Sequence, residues 1–203
     1  MAPSGLESVT MHIKTWTTHV YVLDDYLTNT TLINQLKHES TIQTTVEGQD
    51  HSNQSDAQKE LLRHVTPIVI TYCEELGIDF NNLEFTNMQK GHLHRYDSDS
   101  VHQHLYEPHH DMVERGYITA LYYVDSDYSD DKWVGGELTL YKDLSFVEYP
   151  HNTITILPKP NRLAIFPGFL VHRVKPYFGD RPRTSIVMGW CVDDPAYNQS
   201  IVI

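Results

Sequence analysis

The chain has 203 residues and a formal charge of −12 at pH 7. A chain of this length hides roughly 70% of its unfolded surface, so a single domain over 1–203 with a sizeable core is expected. The acidic balance argues against a general binder of nucleic acid or anionic membranes, because those work through basic surfaces. Two cysteines, Cys73 and Cys191, form no disulfide framework, and each sits in an apolar run where a buried thiol is expected. No apolar run reaches transmembrane length, and no basic-then-apolar leader opens the sequence. A soluble, cytoplasmic protein is the expectation.

Met1 to Thr10 is small and polar. His19-Val20-Tyr21-Val22-Leu23 reads as a strand. Thr28 or Asn29 can cap a short helix with Leu32, Ile33 and Leu36 on one face. Ser40 to Ser55 is polar and reads as a loop. Ser55 or Asp56 opens a second helix, and Gly77 is suited to end it. Leu61, Leu62, Val65, Ile68, Val69, Tyr72 and Leu76 recur along it at helical spacing. Pro67 is expected to kink or split it, with Thr66 as a new cap.

From residue 83 the pattern turns to strands. Leu83 to Lys90 and His92 to Tyr96 surround Gly91. Ile118 to Val124, Glu137 to Tyr141, Thr153 to Leu157, Arg162 to Phe166, Phe169 to Val174 and Arg183 to Val192 follow. Asp125 to Lys132 is an acidic loop. Asp97 to Glu107 and Asp125 to Trp133 are expected to form loops flanking the site. Many short strands with frequent turns suggest a sandwich or jelly roll. The expected division is 1–82 as an N-terminal strand with supporting helices, 83–192 as a jelly-roll core and 193–203 as a tail.

Chemistry concentrates in Tyr106-Glu107-Pro108-His109-His110-Asp111 and in Phe169-Leu170-Val171-His172-Arg173-Val174. If the first stretch ends a strand, residues i and i+2 share a face, so His109 and Asp111 point the same way and His110 points away. A later strand carrying His172 completes two imidazoles and one carboxylate. That is the ligand set of a non-haem Fe(II) oxygenase site with positions left open. His92-x-His94 and His102-x-His104 are rival metal pairs, but no cysteine or glutamate partner stands at ligand spacing beside them. His102 and His104 are expected at the substrate entrance.

The parts also come in a telling order. After Pro108-His109-His110-Asp111 stand Thr119-Ala120-Leu121-Tyr122-Tyr123, Gly135-Gly136-Glu137-Leu138-Thr139 and Ile165-Phe166-Pro167. Val171-His172-Arg173-Val174-Lys175-Pro176 and Gly179-Asp180-Arg181-Pro182-Arg183-Thr184-Ser185 complete the series. From Phe85 to Trp190 it resembles the prolyl 4-hydroxylase-like family of Fe(II)/2-oxoglutarate dioxygenases. The resemblance implies a mostly β fold, a double-stranded β-helix with helices packed on one sheet. It implies Fe(II) on His109, Asp111 and His172, 2-oxoglutarate as co-substrate, O2, and ascorbate as an optional reductant. Asp111 fills the place that halogenating relatives leave open for a halide, so hydroxylation is expected.

Arg183 offers a planar fork to the distal carboxylate of 2-oxoglutarate, and Ser185 lies two residues on, facing the same way in a strand. Arg181 is the rival anchor. Pro182 lacks an N–H and belongs at a strand edge, which favours Arg183. Tyr123 and Tyr96 stand where the family often has tyrosines on the same carboxylate and near the metal. The stretch between Tyr96 and His109 departs from the family's short glycine turn. Trp190 matches a family aromatic near the co-substrate, with core packing as its expected main role.

The resemblance implies hydroxylation of an unactivated C–H, with succinate and CO2 as co-products. A prolyl residue in a peptide is the first expected substrate, and a free amino acid or small metabolite the second. A non-catalytic cupin-like metal-binding module and a nucleic-acid demethylase are the rivals. The complete ligand set with Arg183-x-Ser185 opposes the former. The acidic balance opposes the latter, so neither nucleic acid nor membrane is an expected partner.

Overall fold

A computed structural model describes residues 20–42, 55–77, 92–96, 107–111, 116–141, 153–168 and 170–192, with only the backbone of 41–42, 92–96, 116 and 192. The elements run β1 (Tyr21–Leu23), α1 (Thr30–Ile42), α2 (Asp56–Leu76), β2 (His92–Tyr96), β3 (Gly116–Asp125), β4 (Leu138–Tyr141), β5 (Thr153–Ile156), β6 (Leu163–Pro167), β7 (His172–Val174) and β8 (Arg183–Val192). A five-stranded sheet has the order β1-β6-β3-β8-β2, and a three-stranded sheet the order β5-β4-β7. Every pairing is antiparallel. The residues expected at 78–91, 97–106 and 193–203 lie outside the described set.

Strand β3 is the spine because it is buried on both faces. Its even residues Ile118, Ala120, Tyr122 and Val124 pack with Leu32, Leu36, Leu61, Val65 and Tyr72 of the two helices. Leu121 and Tyr123 face the other way, meeting Leu138, Leu140, Ile156 and Val174 of the smaller sheet. Strict alternation along a strand produces this division. The two sheets therefore close over an interior, with the helices outside the larger sheet, as a double-stranded β-helix requires.

Asn29 caps α1, its Oδ1 accepting from the Leu32 N–H at 3.1 Å. Ser55 caps α2 through the Gln58 N–H at 3.0 Å, and Gly77 ends it at φ 72. Helix α2 runs on past Pro67 as one element, contrary to the expected split, and Thr66 is no cap. Its hydroxyl donates to the Leu62 carbonyl at 2.7 Å. The physical reason is burial. An interior proline costs about 3 kcal/mol, whereas Leu61, Val65, Val69 and Tyr72 are almost wholly covered, each worth roughly 1.5–3 kcal/mol. Among the described residues, no helix is long and apolar enough to cross a membrane.

The N-terminal segment is fastened to the turn before β6. Asn161 bonds both backbone groups of Leu27, and Arg162 grips Asp24 with Nε–Oδ1 at 2.6 Å and Nη2–Oδ2 at 2.9 Å. The hydrogen bonds from Arg162 hold the Asp24 carboxyl below its ordinary value, against the opposing effect of burial. In the unfolded chain that value returns to about 4. The pair's contribution is thus complete above about pH 4 and disappears as pH falls through the lowered value. Discounted for solvent screening, Asp24→Asn is expected to cost about 1 kcal/mol at pH 7, a fall in Tm of roughly 2–4 °C. Thermal melts should show the gap between variant and wild type narrowing in acid; a constant gap refutes the charge-pair account.

Candidate active site

His109 and His172 meet as an antiparallel bridge, each backbone N–H donating to the other's carbonyl at 2.9 and 2.7 Å. Two residues on, the Asp111 N–H donates to the Gly168 carbonyl at 2.9 Å. This short extended pairing brings His109 and Asp111 to the same side and delivers His172 from β7. One ligand atom from each of the three residues lies within 4.8 Å of the others. The chemistry of that donor set fits ferrous iron.

The imidazoles are pre-set. His109 Nδ1 stands 2.9 Å from the Glu107 carbonyl, and His172 Nδ1 stands 2.8 Å from that of Leu170. A carbonyl only accepts, so each Nδ1 carries the proton and each Nε2 presents a lone pair. Burial pulls His172 below the ordinary imidazole value, against the raising effect of the Asp111 charge. A neutral ring is the form that binds metal. Phe166 packs edge-on against it with centroids 5.1 Å apart. His109 is exposed, Asp111 half-buried and His172 buried, so the cluster opens on the His109 side.

Farther along the interior, Arg183 is fully buried at the start of β8. Its guanidinium carbon lies 5.0 Å from the centroid of the buried Tyr123 ring. Nη1 donates to Ser185 Oγ at 3.4 Å. Gly136 clears the space beside this side chain, since a Cβ there would stand 2.8 Å from Arg183 Cδ and from Tyr177 Cδ2. A fixed guanidinium fork beside a hydroxyl fits a carboxylate.

Arg181 is placed differently. Its side chain is 62% exposed and paired with Asp127 and Asp125. Its backbone N–H donates to Asp127 Oδ2 and its carbonyl accepts from the Tyr177 hydroxyl. The Asp125–Trp133 loop is therefore fastened to the segment leading into β8. The other expected loop, except for Glu107, lies outside the described residues, and so do His102 and His104. The backbone of Tyr96 is in register with Arg183; its side chain is not described. His110 is exposed. Trp190 sits in the helix-side core, on the opposite face of β8 from Arg183 and Ser185.

Three neighbours of the site carry no role in the sequence reading. Thr119 donates to Asp111 Oδ2 at 2.6 Å. Gly168 joins Asp111 to β3, accepting from Asp111 and donating to the Tyr117 carbonyl at 2.5 Å. The Tyr117 ring lies against Gly168 and Gly189, and burial, then the Asp111 charge, push its phenol up to about 12. For Thr119 a signal existed, since alternation puts 119 and 123 on one face of a strand.

The model of the 2OG-Fe(II) oxygenase superfamily matches residues 91–191. No curated protein matches the sequence. Among solved structures, a prolyl 4-hydroxylase from Pseudomonas putida superposes with a TM-score of 0.59 at 17% identity, over 86% of this chain and 88% of that one. A prolyl hydroxylase from Trichoplax adhaerens, in complex with a hypoxia inducible factor peptide fragment, gives 0.57 at 20% identity, over 91% and 87%. Prolyl 4-hydroxylases from Phytophthora capsici give 0.56 at 17% identity, over 88% of this chain and 60% of that chain. Residues 91–191, and with them the chain, belong to the 2OG-Fe(II) oxygenase superfamily, so that this is an Fe(II)- and 2-oxoglutarate-dependent dioxygenase with the fold of the prolyl 4-hydroxylases.

Proposed function

We propose that the enzyme hydroxylates a prolyl residue of a peptide or protein, with His109, Asp111 and His172 holding the iron and Arg183 holding 2-oxoglutarate. The observation that carries this reading is the convergence of the three donor atoms within 4.8 Å in a chain of this superfamily. The overall balance is substrate C–H, O2 and 2-oxoglutarate to substrate C–OH, succinate and CO2. When bound, iron supplies the activation of O2 that couples decarboxylation to oxygen insertion.

The chain supplies positioning and exclusion of water. His109 and His172 present fixed Nε2 lone pairs, and Asp111 contributes one carboxylate. Arg183 grips the distal carboxylate of the co-substrate, and Ser185 and Tyr123 line the same place with hydroxyls. Tyr96 belongs to the proposal through its backbone register alone. Ascorbate serves as the reductant that restores ferrous iron. The proposal takes 1–203 as one domain, divided at 82 and 192, in a cytoplasmic setting.

Support for a prolyl substrate comes from the relatives of like fold, one of which is in complex with a peptide. The test is mass spectrometry of proline-containing peptides and of free amino acids after incubation with Fe(II) and 2-oxoglutarate. Gain of one oxygen at a peptidyl proline is the expected result. Gain on free amino acids alone moves the substrate to small metabolites.

A further inference from the structure

We propose that Thr119 is a positioning residue, fixing the rotamer in which Asp111 meets the metal; this rests on Asp111 being an iron ligand. Thr119 is buried on the interior face of β3. Its backbone position is set from both sides, with Phe166 of β6 and Gly189 of β8 as its partners. A carboxylate is acceptor-only, so the hydroxyl proton is the one shared at 2.6 Å. That distance is in the range of a charge-assisted O–H···O⁻ bond, roughly 2.5–2.7 Å.

Asp111 is thereby held at two points, one on its carboxylate and one on its backbone. Thr119 holds Oδ2, and Gly168 holds the backbone N–H of the same residue. Oδ2 is also the oxygen that lies 3.8 Å from His172 Nε2. A free carboxylate rotates about its last torsion with a broad, two-fold preference. Here the hydroxyl takes one lone-pair direction of Oδ2, so the metal meets a carboxylate already turned. Valine has almost the shape of threonine and suits a buried strand equally well. The hydroxyl is what distinguishes the residue at this place.

The test is anaerobic calorimetric titration of the full chain with Mn(II), comparing wild type, Thr119→Val, Thr119→Ser, Thr119→Ala and Asp111→Ala. Thr119→Val is expected to weaken Mn(II) binding roughly 10–100-fold, the usual effect of losing a partner behind a metal ligand. Thr119→Ser, which keeps the hydroxyl, should restore it. With Mn(II) saturating, affinity for 2-oxoglutarate should stay at the wild-type value, since Arg183 is untouched. Wild-type Mn(II) binding by Thr119→Val, alongside weak binding by Asp111→Ala, overturns the positioning role. Wild-type binding by Asp111→Ala overturns the metal assignment itself. Should Thr119→Val fail to fold, the Ser and Ala variants decide: tight Ser with weak Ala supports the role, and equal affinities overturn it.

Discussion

Alanine at Asp111 or His172 is expected to abolish 2-oxoglutarate turnover while the two-sheet fold persists. Loss of an outer partner behind a ligand typically costs 10–100-fold, so loss of a ligand should cost on the order of 100-fold or more. The two variants differ in their structural side effects. Asp111 is half-buried at the open side of the cluster, and its removal empties little of the core. His172 is buried against Phe166, and truncating it should cost roughly 1–3 kcal/mol of stability besides. Turnover measured by succinate release, with circular dichroism and a thermal melt on each variant, separates the effects. An Asp111→Ala protein that retains wild-type turnover removes the proposed iron site.

The second large effect separates the two arginines. Arg183→Ala should weaken 2-oxoglutarate binding roughly 10- to 150-fold, since a hydrogen-bonded charge pair contributes about 1.5–3 kcal/mol and about 1.4 kcal/mol is tenfold. Metal affinity should change far less. Arg181→Ala should have the smaller effect on the co-substrate because its guanidinium is exposed and already engaged by Asp127 and Asp125. Its loss should act through the loop, loosening the connection between Ser126 and the start of β8. Anaerobic titration of both variants with 2-oxoglutarate decides the matter. A large loss confined to Arg181→Ala reverses the assignment and takes Ser185 with it.

That His109, Asp111 and His172 come together was legible because part of the pattern is local. His109 and Asp111 are two apart, and the ordered motifs point to His172. The strands from residue 118 onward were legible for a similar reason: their apolar runs end at Gly and Pro turns, and β8 spans the expected Arg183–Val192. The two helix starts were readable from Asn29 and Ser55, whose side chains do what cap residues do. Pro67 misled because local backbone preference was outweighed by a buried face that only the packed sheet supplies. Gly136 and Gly168 act through partners far along the chain. Gly136 meets Arg183, and Gly168 meets both Asp111 and Tyr117. Contacts of that kind have no periodicity to detect. The paired carboxylates around Arg181 were visible as an acidic loop, but their direction toward that arginine was not.

Strand β3 carries Thr119 and Tyr123 on one face, the first bonded to Asp111 and the second beneath Arg183. The two side chains are four residues apart on a strand paired on both sides, a backbone span of about 13 Å. Under the proposed roles, the strand is a ruler. One end marks the metal and the other marks the distal carboxylate, and neither mark slides without breaking two ladders of hydrogen bonds. A dicarboxylate one carbon shorter or longer than 2-oxoglutarate then satisfies one mark and misses the other. On those roles, choice of co-substrate by length would follow from the spacing of Thr119 and Tyr123 in the centre of the sheet.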